Sequence, residues 1–210
     1  MSAGPAAAGG LATMRRTSVR EAARTRPFWL VMVAFFICGY GDVFFTTHLV
    51  PFAVEAGIPD MAAAGALGLM GGFSFLGVLV AGAASDRVGR KNPLAALYFF
   101  RALALAALAL SSGELTVYLA AAVVGLTFIS PGPLASALLA DRYGALSVGA
   151  LYGLAILSHQ IGGALGAYLG GLIFDTTGSY YWSFVSAALL TLIAAGAAFS
   201  IRELRPRPGS

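Results

Sequence analysis

A carboxylate, a guanidinium and an imidazole lie deep inside apolar stretches of this 210-residue chain: Asp42, Arg101 and His159. Ionisable groups in such surroundings are expensive unless protonated, paired or hydrated, which makes each a candidate functional group. Asp42 follows Gly39-Tyr40-Gly41, and helical spacing places Phe35, Gly39, Asp42, Thr46 and Leu49 on one stripe. It is a candidate proton carrier, with Thr46 beside it and glycines that let the helix bend or a solute approach. The alternative is a structural pair or cap. Arg101 is the obvious counter-charge. It stands eight residues beyond Pro93, about 12 Å along a helix, so snorkelling to the headgroups is conceivable but strained. Facing inward, its fork would suit a carboxylate substrate; otherwise it is a structural partner.

His159 could relay a proton or hold two helices together by a hydrogen bond. Its stripe continues through Gly163, Gly166 and Gly170, a surface of small residues on which helices approach closely. Gln160, its neighbour, is a pathway candidate that reads first as packing. His48, near Glu55, is expected at the membrane interface, with a gating role as the alternative. Ser130-Pro131-Gly132-Pro133 interrupts another apolar run and should kink or unwind it. In a cavity helix such a break frees carbonyls, with Thr127 and Ser130 as polar contacts; elsewhere it is only a packing kink. Tyr40 and Tyr152 are further pathway candidates or packing aromatics. The one cysteine, Cys38, reads as a small buried hydrophobe.

These residues need helices long enough to hold them inside a bilayer. The chain is 59% hydrophobic and 10% charged, with mean hydropathy +0.83, against about 45–50% and about 25% in a soluble domain. Its apolar runs are continuous, which excludes a soluble enzyme and disfavours a β-barrel. Six all-α spans are expected at residues 28–52, 60–84, 93–111, 115–140, 147–174 and 181–201. Residues 1–26 read as a partly disordered basic arm with a short amphipathic helix at 18–24, residues 27–204 as the membrane domain, and 205–210 as a tail. With the N-terminus inside, Arg15, Arg16, Arg20, Arg24, Arg26, Arg87, Arg90, Lys91, Arg142, Arg202, Arg205 and Arg207 share one face. Those are 12 of the 13 basic residues, while Glu55, Asp60, Glu114 and Asp175 mark the other face. Such asymmetry points to both termini in the cytoplasm. The net charge of +4 therefore orients the protein and meets anionic lipid; it does not indicate nucleic acid.

The loop Gly82-Ala-Ala-Ser-Asp86-Arg87-Val-Gly89-Arg90-Lys91 joins the second and third spans. Three loops share a D-x-x-G turn, at Asp86/Gly89, Asp141/Gly144 and Asp175/Gly178, where glycine can take a positive φ that ends a helix. Gly82/Asp86/Gly89 is echoed as Gly171/Asp175/Gly178 on the opposite face, as a three-plus-three inverted repeat would produce. Gly82, Asp86, Arg87, Gly89, Arg90 and Lys91 read as a cytoplasmic gate whose ion pairs bias inward-open against outward-open states, or as a turn that only sets topology.

That loop pattern resembles the signature of the major facilitator superfamily, and residues 18–204 are similar to the C-terminal six-helix half of such a transporter. Arg26-Pro-Phe-Trp29, His48-Leu-Val-Pro-Phe-Ala53, His159-Gln-Ile-Gly-Gly163 and Asp175-Thr-Thr-Gly-Ser-Tyr180 resemble the monocarboxylate and oxalate transporter-like branch. The resemblance implies that the first and fourth spans line a cavity, the second and fifth form the interface between halves, and the third and sixth lie outside. A solitary half would expose its cavity to lipid, so a parallel homodimer is expected. The resulting reading is a multi-pass protein of a bacterial-type inner or plasma membrane. It would carry a small organic anion or other small solute, with coupled protons. The alternative is a non-transporting accessory half that needs a different six-helix partner. No ATP-binding signature, G-x-S-G nucleophile, Cys/His ligand cluster or H-E-x-x-H motif occurs, so no enzyme activity, cofactor or metal is expected. Six spans and two histidines resemble rhomboid proteases only superficially.

Overall fold

A computed structural model describes residues 16–202. The expectations placed on residues 1–15 and 203–210, including Arg15, Arg205, Arg207, the disordered start of the arm and the tail, lie outside them. The described chain is helical throughout: α1 (Val19–Ala22), α2 (Arg26–Glu55), α3 (Asp60–Val88), α4 (Lys91–Leu110), α5 (Glu114–Phe128), α6 (Pro131–Tyr143), α7 (Val148–Thr177) and α8 (Tyr181–Phe199). A single 3-10 turn, Ala145–Ser147, precedes α7. Six segments are long and apolar enough to cross a membrane, with α5 and α6 together making the fourth. The expected all-α, six-span architecture is thus present in an integral multi-pass membrane protein.

Local chemistry explains most boundaries. Pro27 sits in the first turn of α2, where its missing N–H costs no helical bond. The D-x-x-G glycines all have positive φ, with Gly89 at 86°, Gly144 at 91° and Gly178 at 67°. Gly178 caps α7 in the left-handed conformation. The interruption expected at Ser130-Pro131-Gly132-Pro133 is real. α5 stops at Phe128 and α6 restarts at Pro131, bridged by Gly132 N–H donating to Ile129 O at 3.1 Å.

The helices pair in a symmetric pattern. α2 packs most extensively on α7, α3 on α5, and α4 on α8. Exchanging the first three spans with the last three maps this pattern onto itself. Close backbone approach makes both cross-pairs possible. A methyl at Gly39, Gly162 or Gly166 would strike the backbone of His159, Phe36 or Tyr40 across the α2/α7 contact. Gly77 and Gly125 play the same part between α3 and α5, against Leu126 and Met70. Small residues in place of bulk let these helices come within van der Waals range along their backbones.

The first span is the most enclosed, with 72% of its apolar window buried, against 28% for the second and 22% for the fifth. Along the glycine contact the fifth span covers the middle of the first, while Trp29, Val33, Thr47, Pro51 and Val54 remain exposed. Open surface concentrates on α3 and α7, which carry exposed Phe75, Leu76, Leu79, Val80, Ile156, Leu157, Ile161 and Leu165. Ahead of the first span, α1 opens with a capping box between Ser18 and Glu21. Thr17 anchors it, donating from N to Ser147 Oγ at 2.6 Å and from Oγ1 to Tyr143 O at 2.8 Å.

Candidate functional site

Asp42, Arg101 and His159 converge on one buried cluster in the middle of the bundle. The expected counter-charge is found: Arg101 Nη1 donates to Asp42 Oδ1 at 2.5 Å, with the side chains 1% and 5% exposed. Snorkelling of Arg101 is excluded, since the guanidinium is enclosed and turned inward. The long stem is held against α5, whose partners take up its charge more cheaply than a strained reach to the headgroups would.

The break in the fourth span builds the far wall of this site. Pro131 has no N–H to offer the carbonyl four residues earlier, so Thr127 O is left without its helical donor. Arg101 Nη2 donates to that carbonyl, and Arg101 Nε donates to Thr127 Oγ1 at 2.9 Å. Thr127 in turn donates to Val124 O at 2.9 Å. A proline thus creates the acceptor that a buried guanidinium needs.

Asp42 uses its second oxygen toward α7 and its own helix. His159 Nε2 lies 3.2 Å from Oδ2, and Cys38 Sγ donates to the same oxygen at 3.4 Å. Arg101 Nη1 also approaches Cys38 Sγ at 3.3 Å. His159 Nδ1 faces Gln160 Oε1 at 3.2 Å. Tyr98, three residues before Arg101, is fully buried, and its hydroxyl is the one buried side-chain N or O without a hydrogen-bond partner among the described residues.

Cys38 and Tyr98 were missed by sequence reasoning. Cys38 is not a bystander hydrophobe, because its thiol touches both members of the ion pair. The signal was spacing: Cys38 stands one helical turn before Asp42, and Tyr98 one turn before Arg101.

Other candidates stand apart. Thr46 Oγ1 bonds back to Asp42 O at 3.0 Å and Val43 O at 3.2 Å, away from the carboxylate. Ser130 Oγ donates to Leu126 O at 2.8 Å. Tyr40 hydroxyl meets Ser186 Oγ at 3.4 Å, and the Tyr152 ring packs edge-on against Phe35. His48 is packed inside the bundle. It is 8% exposed, its Nε2 lies 2.9 Å from Ala167 O, and Phe44 and Tyr180 flank its ring. Gly170 leaves room for the imidazole on α7. Nearby, in the loop between α7 and α8, the Tyr180 phenol is held above its usual pKa, first by burial and then by the carboxylates of Glu55 and Asp175.

The basic loop forms a separate, exposed network at one end of the bundle. Arg90 Nη1 reaches Asp86 at 3.3 Å and Ser85 Oγ at 2.7 Å, and its Nε reaches Asp141 at 3.4 Å. Two of the three D-x-x-G aspartates therefore share one arginine. Lys91 Nζ donates to Phe199 O at 3.4 Å and lies 5.0 Å from the ring centroid of that residue. Arg87 and Gly82 are exposed, and nothing lies within 4 Å of a methyl built on Gly82. Gly89 supplies the turn.

Six membrane-length helices surround an internal ion pair, with a basic D-R-x-G-R-K turn at one end, in an integral membrane protein. The model of the Major Facilitator Superfamily matches residues 4–165, and the chain belongs to that family. It is 30% identical over 179 residues to the uncharacterized MFS-type transporter YcxA of Bacillus subtilis (strain 168), covering 78% of this chain and 43% of that protein. The fold matches the crystal structure of the POT family transporter PepTSo with a TM-score of 0.70 and 18% identity. That match covers 88% of this chain and 40% of the other. The chain thus spans about two fifths of the length of the proteins it matches. The family and these relatives are transporters, not enzymes.

Proposed function

We propose that the chain is one six-helix half of a secondary transporter that works by alternating access on a small organic anion, coupled to protons. The observation that carries this reading is the buried Asp42–Arg101 pair with His159 against its second oxygen. Arg101 is held by a carboxylate of its own helix bundle, so an incoming carboxylate substrate can exchange with Asp42 on the same fork. Asp42 then needs a proton to remain buried without its counter-charge, and His159, one-fifth exposed, is placed to deliver it. Uptake of the anion and of the proton are thereby tied to one switch. The resemblance to the monocarboxylate and oxalate transporter-like branch favours the same class of solute.

A second six-helix unit completes the pathway, and a parallel homodimer supplies one economically. The open apolar surfaces of α3 and α7 support this reading, because these are the spans that meet between halves in the resembled fold. The symmetric pairing of α2 with α7 and α3 with α5 supports an inverted repeat of three and three. The charge asymmetry of the loops favours cytoplasmic termini in a bacterial-type inner membrane. The Asp86–Arg90–Asp141 network would then act as a cytoplasmic gate, making and breaking with each cycle.

The test is reconstitution of the purified chain in proteoliposomes with a pH-sensitive dye inside. Addition of a monocarboxylate or dicarboxylate series is expected to acidify the lumen for at least one member, and Asp42→Asn to abolish that flux. Transport undiminished by Asp42→Asn removes the proton role. A chain that transports nothing alone but does so with another six-helix partner establishes the accessory reading instead.

A further inference from the structure

We propose that Cys38, Asp42 and His159 form a binding site for a thiophilic, four-coordinate divalent cation of the Zn2+ type. Cys38 and Asp42 lie one turn apart on α2, and His159 faces them from α7. Their donor atoms, Sγ, a carboxylate oxygen and an imidazole nitrogen, all lie within 4.8 Å of one another. With metal bonds of about 2.3 Å to sulfur and about 2.1 Å to nitrogen and oxygen, a tetrahedral site needs edges of about 3.4–3.6 Å between donors. The observed Sγ–Oδ2 edge is 3.4 Å and the Nε2–Oδ2 edge 3.2 Å. The third edge, Sγ to Nε2, lies within 4.8 Å and would have to close to about 3.6 Å on binding.

The surroundings match what such a site requires. Arg101 occupies Oδ1, so Asp42 is oriented while Oδ2 stays turned toward the other two donors. The same guanidinium lies 3.3 Å from Cys38 Sγ, so the sulfur stays within reach of a donor when it ligates. Gln160 Oε1 lies 3.2 Å from His159 Nδ1 and can hold the ring in place as outer partners of metal-bound histidines do, while Nε2–H, which faces Asp42 Oδ2 at 3.2 Å, must give up its proton to the incoming metal. On binding, the Cys38 thiol and the His159 Nε2–H each release a proton to solvent, and the cation takes their place among Sγ, Nε2 and Oδ2. The guanidinium and the cation then exceed the thiolate and the carboxylate by one positive charge, which a hydroxide or an anionic solute in the open position would balance. Three protein donors leave a fourth position for water or a solute. The partial exposure of His159 provides the way in. Binding at these atoms does not depend on whether the chain carries an anion.

The experiment is a Co2+ titration of the untagged, detergent-purified chain. Cys38 is the sole cysteine, so any thiolate-to-cobalt charge-transfer absorption reports this site alone. The expected result is a saturable 1:1 band with the intense visible absorption of tetrahedral Co2+, removed by excess Zn2+. Cys38→Ser, with an unchanged elution volume, should lose the band. His159→Asn keeps the thiol and should weaken binding at least tenfold, and it carries the test where Cys38→Ser does not fold. Absence of the band in the unmodified chain, or unchanged affinity in His159→Asn, overturns the proposal.

Discussion

Replacing Asp42 by Asn leaves the shape of the side chain nearly unchanged but removes the charge that compensates Arg101. The guanidinium is 1% exposed and keeps only Thr127 and Cys38 as partners. Breaking a buried pair by removing one partner costs about 3–5 kcal/mol. For a chain of this size each kcal/mol moves the melting temperature by about 2–4 °C, so Asp42→Asn should lower it by about 6–20 °C. The double variant Asp42→Asn/Arg101→Met removes both charges and should recover most of that loss. What remains is the orphaned Thr127 carbonyl, at about 1–3 kcal/mol. Thermal unfolding of the four proteins in one detergent completes a double-mutant cycle, in which the two substitutions must be strongly non-additive. A drop of less than about 3 °C for Asp42→Asn, or a double variant that falls as far as the two single losses combined, would refute the buried-pair reasoning.

Other outcomes follow from the same geometry. Pro131→Ala returns an N–H to Thr127 O in competition with Arg101, so α5 and α6 should fuse and substrate flux should fall; equal flux with a continuous helix contradicts the role given to the proline. Gly162→Ala pushes a methyl into the Phe36 backbone and should destabilise by at least about 2 kcal/mol, in the range of an overpacked core. Gly153→Ala, with nothing within 4 Å, should leave the melting temperature unchanged or slightly raised, and the pair can be compared in one thermal scan. Arg90→Ala removes two exposed ion pairs worth under about 1 kcal/mol each; its melting temperature should barely change, while a gating role predicts an altered ratio of inward-open to outward-open states in a cross-linking assay.

Six spans and their punctuation are written locally, in stretches of about 20 residues. Pro27, Pro131 and the D-x-x-G glycines mark ends that the folded chain keeps, because backbone chemistry acts over one turn. Asp42 and Arg101 were also legible as partners, since two opposite charges in apolar surroundings have few other ways to be satisfied. The surroundings of the pair were not. Asp42 meets Arg101 across 59 positions and His159 across 117, and Cys38 meets Arg101 across 63. No periodicity in a single helix records such distances.

Three readings were decided by tertiary structure alone. Cys38 joined a polar cluster because the rotation of α2 that aims Asp42 inward carries the residue one turn earlier with it. His48 became a packed residue because Gly170 leaves a recess for its ring. The middle of the first span is enclosed because glycines on α2 and α7 let the two backbones touch. Sequence by itself determined that this chain crosses a membrane six times and carries charge where lipid forbids it. Which groups answer that charge depended on how the helices rotate and approach, a property of side-chain volume on facing surfaces that only the packed bundle contains.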